Sequence, residues 1–303
     1  MHFRQLDLNL LVALDALLAE RNITRAGKRV FLTQSAMSGA LARLREYFGD
    51  ELLVQVGRQM VPTPLGESLG PAVRAILMQV QQTLLTRPTF DAATSTRHFT
   101  IMMSDFVATV LMPDVLRHLT GVAPRMQFEI VSNDMEVPPD AIERGEVDML
   151  IMPDRFLAEG HPTEPLFEDD YVCIVAADHP EVGDRITTEQ YLSLGHVIAQ
   201  FNRGRSPAVD EWVVGQLGLT RRIEVIAMTF SAIPHYVAGT RRIATVQRRL
   251  AQQVAKFMPL KIVPAPIELP RLAEAMQWHT QFANDPGLAW LRAEMRAVAA
   301  RIT

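Results

Sequence analysis

The apolar positions of the chain change period several times, and each change predicts an element. Leu8, Leu11, Val12, Leu14, Leu17 and Leu18 recur at helical spacing, so residues 7–20 are expected to form an amphipathic helix. Asp7 suits its cap. Asn22 breaks the pattern, and a second, shorter helix is expected from about Thr24 to Val30, with Phe31-Leu32 as the turn after it. Thr33 suits the cap of a third helix, Gln34 to about Phe48, and Gly49 its end. On that helix Met37, Ala40, Leu41, Leu44 and Phe48 form an apolar stripe. Ser35, Ser38, Gly39 and Ala42 form a small polar face opposite, flanked by Gln34 and Arg45.

Two short apolar runs, Leu52–Val54 and Met60–Val61, flank Gly57-Arg58-Gln59 and predict a β-hairpin. Thr63 and Pro64 then have the residue types of a cap and a first helical position. A long helix is expected from there to about Leu85, with Leu69, Val73, Ile76, Leu77, Val80 and Leu84 as an apolar seam at the spacing of helix pairing. That seam predicts dimerisation through this helix; packing on its own domain is the alternative. Beyond residue 90 the pattern alternates. Strands are expected at 97–105, 125–132 and 147–152, with helices at about 106–121 and 137–145. Further strands are expected at Val197–Phe201, Ile223–Met228 and Ile243–Val246. Such alternation predicts mostly parallel α/β sheets.

Charge sharpens this picture. Residues 1–87 carry ten Lys or Arg against seven Asp or Glu, whereas the remainder carries 20 against 27. Residues 21–45 hold Arg21, Arg25, Lys28, Arg29, Arg43 and Arg45 with no acid. A basic block on a short helix, a turn and a capped helix with a small polar face describes a helix-turn-helix, whose second helix enters the major groove of double-stranded DNA. The hairpin is then a wing. The candidate DNA-contacting residues are Arg25, Thr33, Gln34, Ser35, Ser38, Arg43, Arg45 and Arg58. Gln suits adenine edges, Ser bases or phosphates, and Arg58 at the wing tip a phosphate or the minor groove.

Composition excludes other classes. Hydrophobic residues make up 48% and charged residues 21%, the balance of a globular protein with a sizeable core. The longest charge-free stretch, Val225–Thr240, contains Pro234 and is shorter than the roughly 20 apolar residues of a membrane span. Asp7 and Asn9 interrupt the first apolar run, so no signal peptide is expected there. The one cysteine, Cys173, leaves no internal disulfide and no cysteine-based zinc site. The expected compartment is the cytoplasm. Gly66-Glu-Ser68-Leu-Gly70 matches the nucleophile elbow of serine hydrolases, but that motif needs a strand, a turn and a helix, and Thr63-Pro64 already starts a helix. No HExxH, P-loop or GxGxxG is present. Neither catalysis, a cofactor nor a metal is expected.

The runs Ile23-Thr-Arg-Ala-Gly-Lys-Arg-Val-Phe-Leu-Thr-Gln-Ser-Ala-Met-Ser38, Leu44-Arg-Glu-Tyr-Phe-Gly-Asp-Glu-Leu-Leu53 and Pro62-Thr-Pro-Leu-Gly66 resemble the LysR-type transcriptional regulators. The opening Leu6-Asp-Leu-Asn-Leu-Leu-Val-Ala-Leu-Asp-Ala-Leu-Leu18 resembles the branch of rhizobial nodulation activators and naphthalene/salicylate regulators. Ala26, Thr33, Gln34 and Ser38 match the family's helix-turn-helix pattern. Ser35 departs from it, since Pro is usual there, as do Leu53 and Gln55, where a Leu-Phe-x-Arg pattern is common.

The resemblance implies three segments: a winged helix-turn-helix, mainly α DNA-binding domain at 1–63, a linker dimerisation helix at 64–90, and an effector-binding domain at 91–303. The last would be two-lobed, α/β and periplasmic-binding-protein-like. Its lobes would be 95–167 with 268–303, and 168–267. The resemblance also implies a homodimer or homotetramer on promoter DNA, an effector-controlled activator recruiting RNA polymerase. A solute-binding receptor for transport is the rival reading, opposed by the amino-terminal winged unit and the absent export signal.

Ligands of open α/β sheets bind beyond the carboxyl ends of strands. That points to Ser104, Asp105 and Phe106 in the first lobe, and to Phe201, Asn202, Thr229 and Phe230 in the second. Trp278 and His279 are expected to close the cleft. Aromatic walls with a few polar fixtures suit a flat aromatic or phenolic effector, and Arg203 and Arg205 suit an anionic form.

Overall fold

The computed structural model describes residues 7–57, 59–85, 90–132, 141–201, 206–207, 209–216 and 218–302. The chain divides into two compact units, Met1–Pro88 and Thr89–Thr303. Among the described residues no helix is long and apolar enough to cross a membrane.

The first unit contains α1 (Leu8–Glu20), α2 (Ile23–Arg29), α3 (Gln34–Phe48), the antiparallel hairpin β1 (Leu53–Val56) and β2 (Gln59–Pro62), and α4 (Pro64–Leu85). Each start is capped by a side chain close before it. Asp7 accepts from Asn9 N, Asn22 from Arg25 N and Thr33 from Ala36 N. The Thr63 hydroxyl accepts from Gly66 N at 3.1 Å. Gly49 ends α3 in the left-handed conformation at φ 64°, where a missing Cβ avoids strain. Leu14, Leu17, Ala26, Met37, Leu41, Leu44, Leu52 and Leu53 form one core, so the stripe on α3 faces inward as its period predicts. Tip residue Arg58 lies outside the described residues.

α4 bears on its own unit more than its seam suggests. Val73 is buried in this core, and Leu69 and Leu77 pack against it. Arg74 Nε meets Asp15 Oδ1 at 3.3 Å, tying α4 to α1. Only the other half of the seam, Ile76 and Val80, is exposed; the Leu84 side chain lies outside the described set. The helix runs on through Pro71.

The second unit contains β3 (His98–Met103), α5 (Asp105–Val110), α6 (Met112–Val122), β4 (Gln127–Ser132), β5 (Met149–Pro153), β6 (Thr163–Asp169), β7 (Tyr171–Ala176), α7 (Thr188–Ser193), β8 (Gly195–Phe201), β9 (Ser206–Pro207), α8 (Val209–Gln216), β10 (Arg222–Ala227), α9 (Ile233–Val237), β11 (Arg242–Gln247), α10 (Arg248–Val254), β12 (Leu260–Pro264), β13 (Leu272–Gln277) and α11 (Pro286–Ala299). Two sheets result, ordered β4-β3-β5-β13-β6 and β10-β8-β11-β7-β12. The chain crosses between them at Asp170 and again over 265–271, so β6 ends two residues beyond the expected lobe boundary. Neither sheet is mostly parallel. β3 pairs parallel with β4 and β5, and β8 with β10 and β11. The crossing strands β6, β7, β12 and β13 pair antiparallel, because a chain that leaves a sheet and returns once must run back along it.

The helix expected at 106–121 is two helices. Pro113, in the first turn of α6, has no N–H for the Thr109 carbonyl, and the run breaks at Leu111. The released Thr109 carbonyl accepts from Gln253 Nε2 on α10, in the other lobe, at 3.4 Å. Of the helix expected at 137–145, residues 137–140 lie outside the described set and Ala141–Gly145 form turns.

Candidate DNA interface and effector site

In the first unit Gln34, Ser35 and Ser38 share the exposed face of α3, opposite the buried Met37, Leu41 and Leu44. Thr33 acts mainly on the backbone. Its hydroxyl caps the helix at 3.2 Å and lies 3.0 Å from the Ser35 hydroxyl. Arg43 is exposed on the same helix. Arg25 is engaged within the unit: Nε bonds Glu20 Oε2 at 3.2 Å and Nη2 donates to the Glu20 carbonyl at 2.6 Å.

Arg45 is committed elsewhere than the expected DNA surface. It donates to the carbonyls of Glu51 at 2.9 Å and Leu53 at 2.8 Å, and pairs with the Glu51 carboxylate at 3.0 Å. Its guanidinium thus fastens α3 to the first strand of the wing. Asp50, unmarked by any sequence signal, completes that joint. Its Oδ1 accepts from Leu52 N at 2.7 Å and from the Thr63 hydroxyl at 2.6 Å. The Thr63 and Leu52 hydrogen bonds hold the Asp50 carboxyl below its ordinary pKa. A Cβ on Gly66 would stand 2.2 Å from the Leu52 carbonyl oxygen, so only glycine lets α4 approach the wing this closely.

In the second unit the two sheets meet at strand ends. Asp105, the first residue of α5, follows Ser104 at the end of β3. Its carboxylate reaches the other lobe and accepts from Phe230 N at 3.1 Å and Ser231 N at 2.7 Å. Phe106 is only 1% exposed. Its ring meets Phe167 edge-on at 6.2 Å and Phe230 at 6.5 Å. Thr229 and Phe230 are part-buried, and the Thr229 and Ser231 hydroxyls lie 3.5 Å apart. Four of the expected effector residues, Asp105, Phe106, Thr229 and Phe230, are therefore assembled at one seam. The Ser104 hydroxyl is occupied capping α5, 3.3 Å from Val107 N. Phe201 ends β8 at the same end of its sheet as Thr229, since β8 and β10 run parallel. Asn202, Arg203 and Arg205 lie outside the described residues.

Trp278 and His279 are not at this seam. β13 runs antiparallel to β5, with Glu274 opposite Pro153 and Gln277 opposite Leu150. Its carboxyl end therefore lies at the end of the sheet away from α5. Trp278 is buried there with the Arg292 guanidinium 3.5 Å from its ring centroid. His279 caps a short 3-10 turn and faces the His161 ring at 4.8 Å.

Sequence reasoning also missed Glu274. It is 2% exposed, with Oε2 lacking a hydrogen-bond partner. Burial pushes its carboxyl up to about 8, against the pull of Arg155 and with Asp154 and Asp169 adding to the rise. A single Glu in an apolar strand was the available signal. At the nearby lobe crossing, Asp169 accepts from Arg249 N at 3.2 Å and Asp170 N at 2.9 Å. Ser68 lies inside α4, its hydroxyl donating to the Leu65 carbonyl at 2.8 Å, so the strand-turn-helix of a nucleophile elbow is not met. Among the described residues no His, Cys, Asp and Glu group is placed to hold a metal.

Two family models cover nearly the whole chain: the bacterial regulatory helix-turn-helix protein, lysR family, over residues 8–67, and the LysR substrate binding domain over residues 92–300. The chain is a LysR-family transcriptional regulator. This LysR-family chain is 43% identical over 292 residues to nodulation protein D 1 of Bradyrhizobium sp. (strain NC92), covering 96% of this chain and 93% of that one. The crystal structure of a probable transcriptional regulator from Pseudomonas aeruginosa matches with a TM-score of 0.67 at 30% identity, over 97% of this chain and 98% of that one. A full-length OxyR variant from the same organism, with aspartate in place of a cysteine, matches with a TM-score of 0.73 at 21% identity, over 98% and 96%, a likeness of fold. The helix-turn-helix model thus falls within the first unit and the substrate-binding model within the second.

Proposed function

We propose that this regulator is an activator whose hold on promoter DNA is set by a small phenolic effector bound at the seam between the two lobes. The observation that carries this reading is the Asp105 carboxylate, which spans the lobes to Phe230 N and Ser231 N beside the Phe106–Phe230 ring contact. A ligand entering this seam exchanges those contacts for its own, so its affinity differs between lobe arrangements, as a population shift requires. Rings supply apolar area and Thr229, Ser231 and Asp105 supply polar fixtures, the lining suited to a hydroxylated aromatic. Similarity to nodulation protein D supports a flavonoid-like compound.

On the DNA side, α3 enters the major groove with Gln34, Ser35 and Ser38 towards base edges and Arg43 towards phosphate. Two copies pair through Ile76 and Val80, which with Gln79 and Thr83 line a shallow apolar hollow on α4. Pairs associate into a tetramer that holds two sites and recruits RNA polymerase. The test is a promoter-binding assay with a panel of phenolic compounds. Ser231→Pro removes one amide donor at the seam; it should change the effector response and leave effector-free operator affinity intact. An unchanged effector response in that variant contradicts the seam assignment.

A further inference from the structure

Phe31 is the most exposed large apolar side chain of the described residues, at 97%, and its backbone is left-handed at φ 57°. Either feature alone is ordinary. Together they describe a bulky residue held in a strained conformation and turned wholly into water. Such an outlier persists only where its surroundings enforce it. Here they do: Leu32 N donates to the Gly27 carbonyl at 2.8 Å and Phe31 N to that of Lys28 at 3.4 Å. A Cβ on Gly27 would stand 2.8 Å from the Leu32 carbonyl oxygen, so the turn is pressed against α2. Nothing in the unit's core uses the ring.

The turn leads directly into the reading helix. Phe31 stands two residues before the Thr33 cap and three before Gln34, and Lys28 on the preceding turn of α2 is exposed. We propose that Phe31 is a DNA-contacting residue, its ring packing on the apolar sugar or thymine-methyl surface at the edge of the groove that α3 enters. The inference rests on the placement of α3 given under the proposed function. It adds an apolar contact at the turn that none of the basic or amide residues supplies. Charge fits the same occupant: Lys28 and Arg43, both exposed, would bring phosphates to this surface, and a thymine methyl or deoxyribose is what a ring meets beside them.

The test uses the full-length protein and a duplex it selects from a random-sequence pool. Asn tolerates the left-handed conformation far better than Phe, so Phe31→Asn should melt no lower than wild type, yet bind the selected duplex about tenfold more weakly. A photo-crosslinking phenylalanine analogue at position 31 should label a DNA strand. Wild-type affinity in Phe31→Asn, or crosslinks confined to a second protein chain, overturns the proposal. Gln34→Ala separates the two levels. If Gln34→Ala abolishes selectivity while Phe31→Asn changes nothing, only the Phe31 contact is lost. If Gln34→Ala also leaves selectivity intact, the placement of α3 itself falls.

Discussion

Glu274 and His196 are buried titratable groups whose pKa values move in opposite directions, and they shape stability against pH together. His196 is fully buried with Nε2 donating to the Tyr191 carbonyl at 2.6 Å; burial first, then Arg221 and Arg222, lowers it to about 4. With its folded value below 6.5, the stability it gives is present above that pH and is lost as pH falls towards 4. Glu274 is the reverse case. Its folded value of about 8 against 4.5 means the stability it gives is present below 4.5 and is lost as pH rises through 8. Between 4.5 and 6.5 the two slopes oppose, and above 6.5 only Glu274 acts. Urea denaturation of Glu274→Gln should therefore show stability no longer falling between pH 6.5 and 8. At pH 9 the variant should be roughly 1–3 kcal/mol more stable than wild type, since a buried charge without a partner is removed. An unchanged alkaline slope would remove Glu274 from this role. Arg45 gives a second residue-scale prediction. Arg45→Ala should destabilise the DNA-binding domain by about 1–2 kcal/mol through its lost carbonyl bonds. Its salt slope for DNA binding should match wild type, because no phosphate contact is removed; a shallower slope would restore Arg45 to the DNA surface. Sequence placed Arg45 with the DNA residues because charge and helical face are visible there. The carbonyls of Glu51 and Leu53 that claim it come from a hairpin whose approach no periodicity encodes.

At the scale of elements, helices were legible wherever a cap and an apolar period coincided. α1, α3 and α4 begin where Asp7, Thr33 and Pro64 place them, and α3 ends at Gly49. The use of α4 was only half legible. Leu69, Val73 and Leu77 pack on their own core, while Ile76 and Val80 stay exposed at 44% and 39%. A seam read from spacing alone cannot divide one helix between two partners. Ile76→Asp with Val80→Asp should lower the mass seen by light scattering without lowering the melting temperature. Val73→Asp should instead unfold the domain, as an unpaired buried charge costs several kcal/mol. Equal oligomer mass in the double variant would take α4 out of assembly. On α3, Gln34→Ala should cost about 1–3 kcal/mol of specific over non-specific binding, measured as the affinity ratio between a selected and a scrambled duplex. An unchanged ratio would remove Gln34 from base reading.

For the whole molecule, two alternating strand-and-helix runs foretold two α/β sheets, and the family resemblance implied their division into two lobes. They did not foretell which strands pair antiparallel, because pairing follows from where the chain returns. That is why Trp278, read as closing the cleft, lies at the far end of β13 under Arg292. Asp105, Phe106, Thr229 and Phe230 were legible because each stands at or just beyond the carboxyl end of a strand. Asp105 joins lobes already linked by Gln253 to Thr109 and by Arg249 to Asp169, so the seam is one contact among several and can yield without the domain coming apart. The central claim is that this seam is the effector site and acts apart from DNA binding. It is tested most directly by the melting temperature of the full-length protein against a panel of phenolic compounds, in wild type and in Phe230→Ala. A ligand at about 100 times its Kd adds roughly 2.7 kcal/mol. Wild type should therefore melt several degrees higher with at least one phenolic, and Phe230→Ala should lose that shift while binding operator DNA as wild type does. A shift that persists in Phe230→Ala, or a panel in which only non-aromatic compounds raise the melting temperature, contradicts the account.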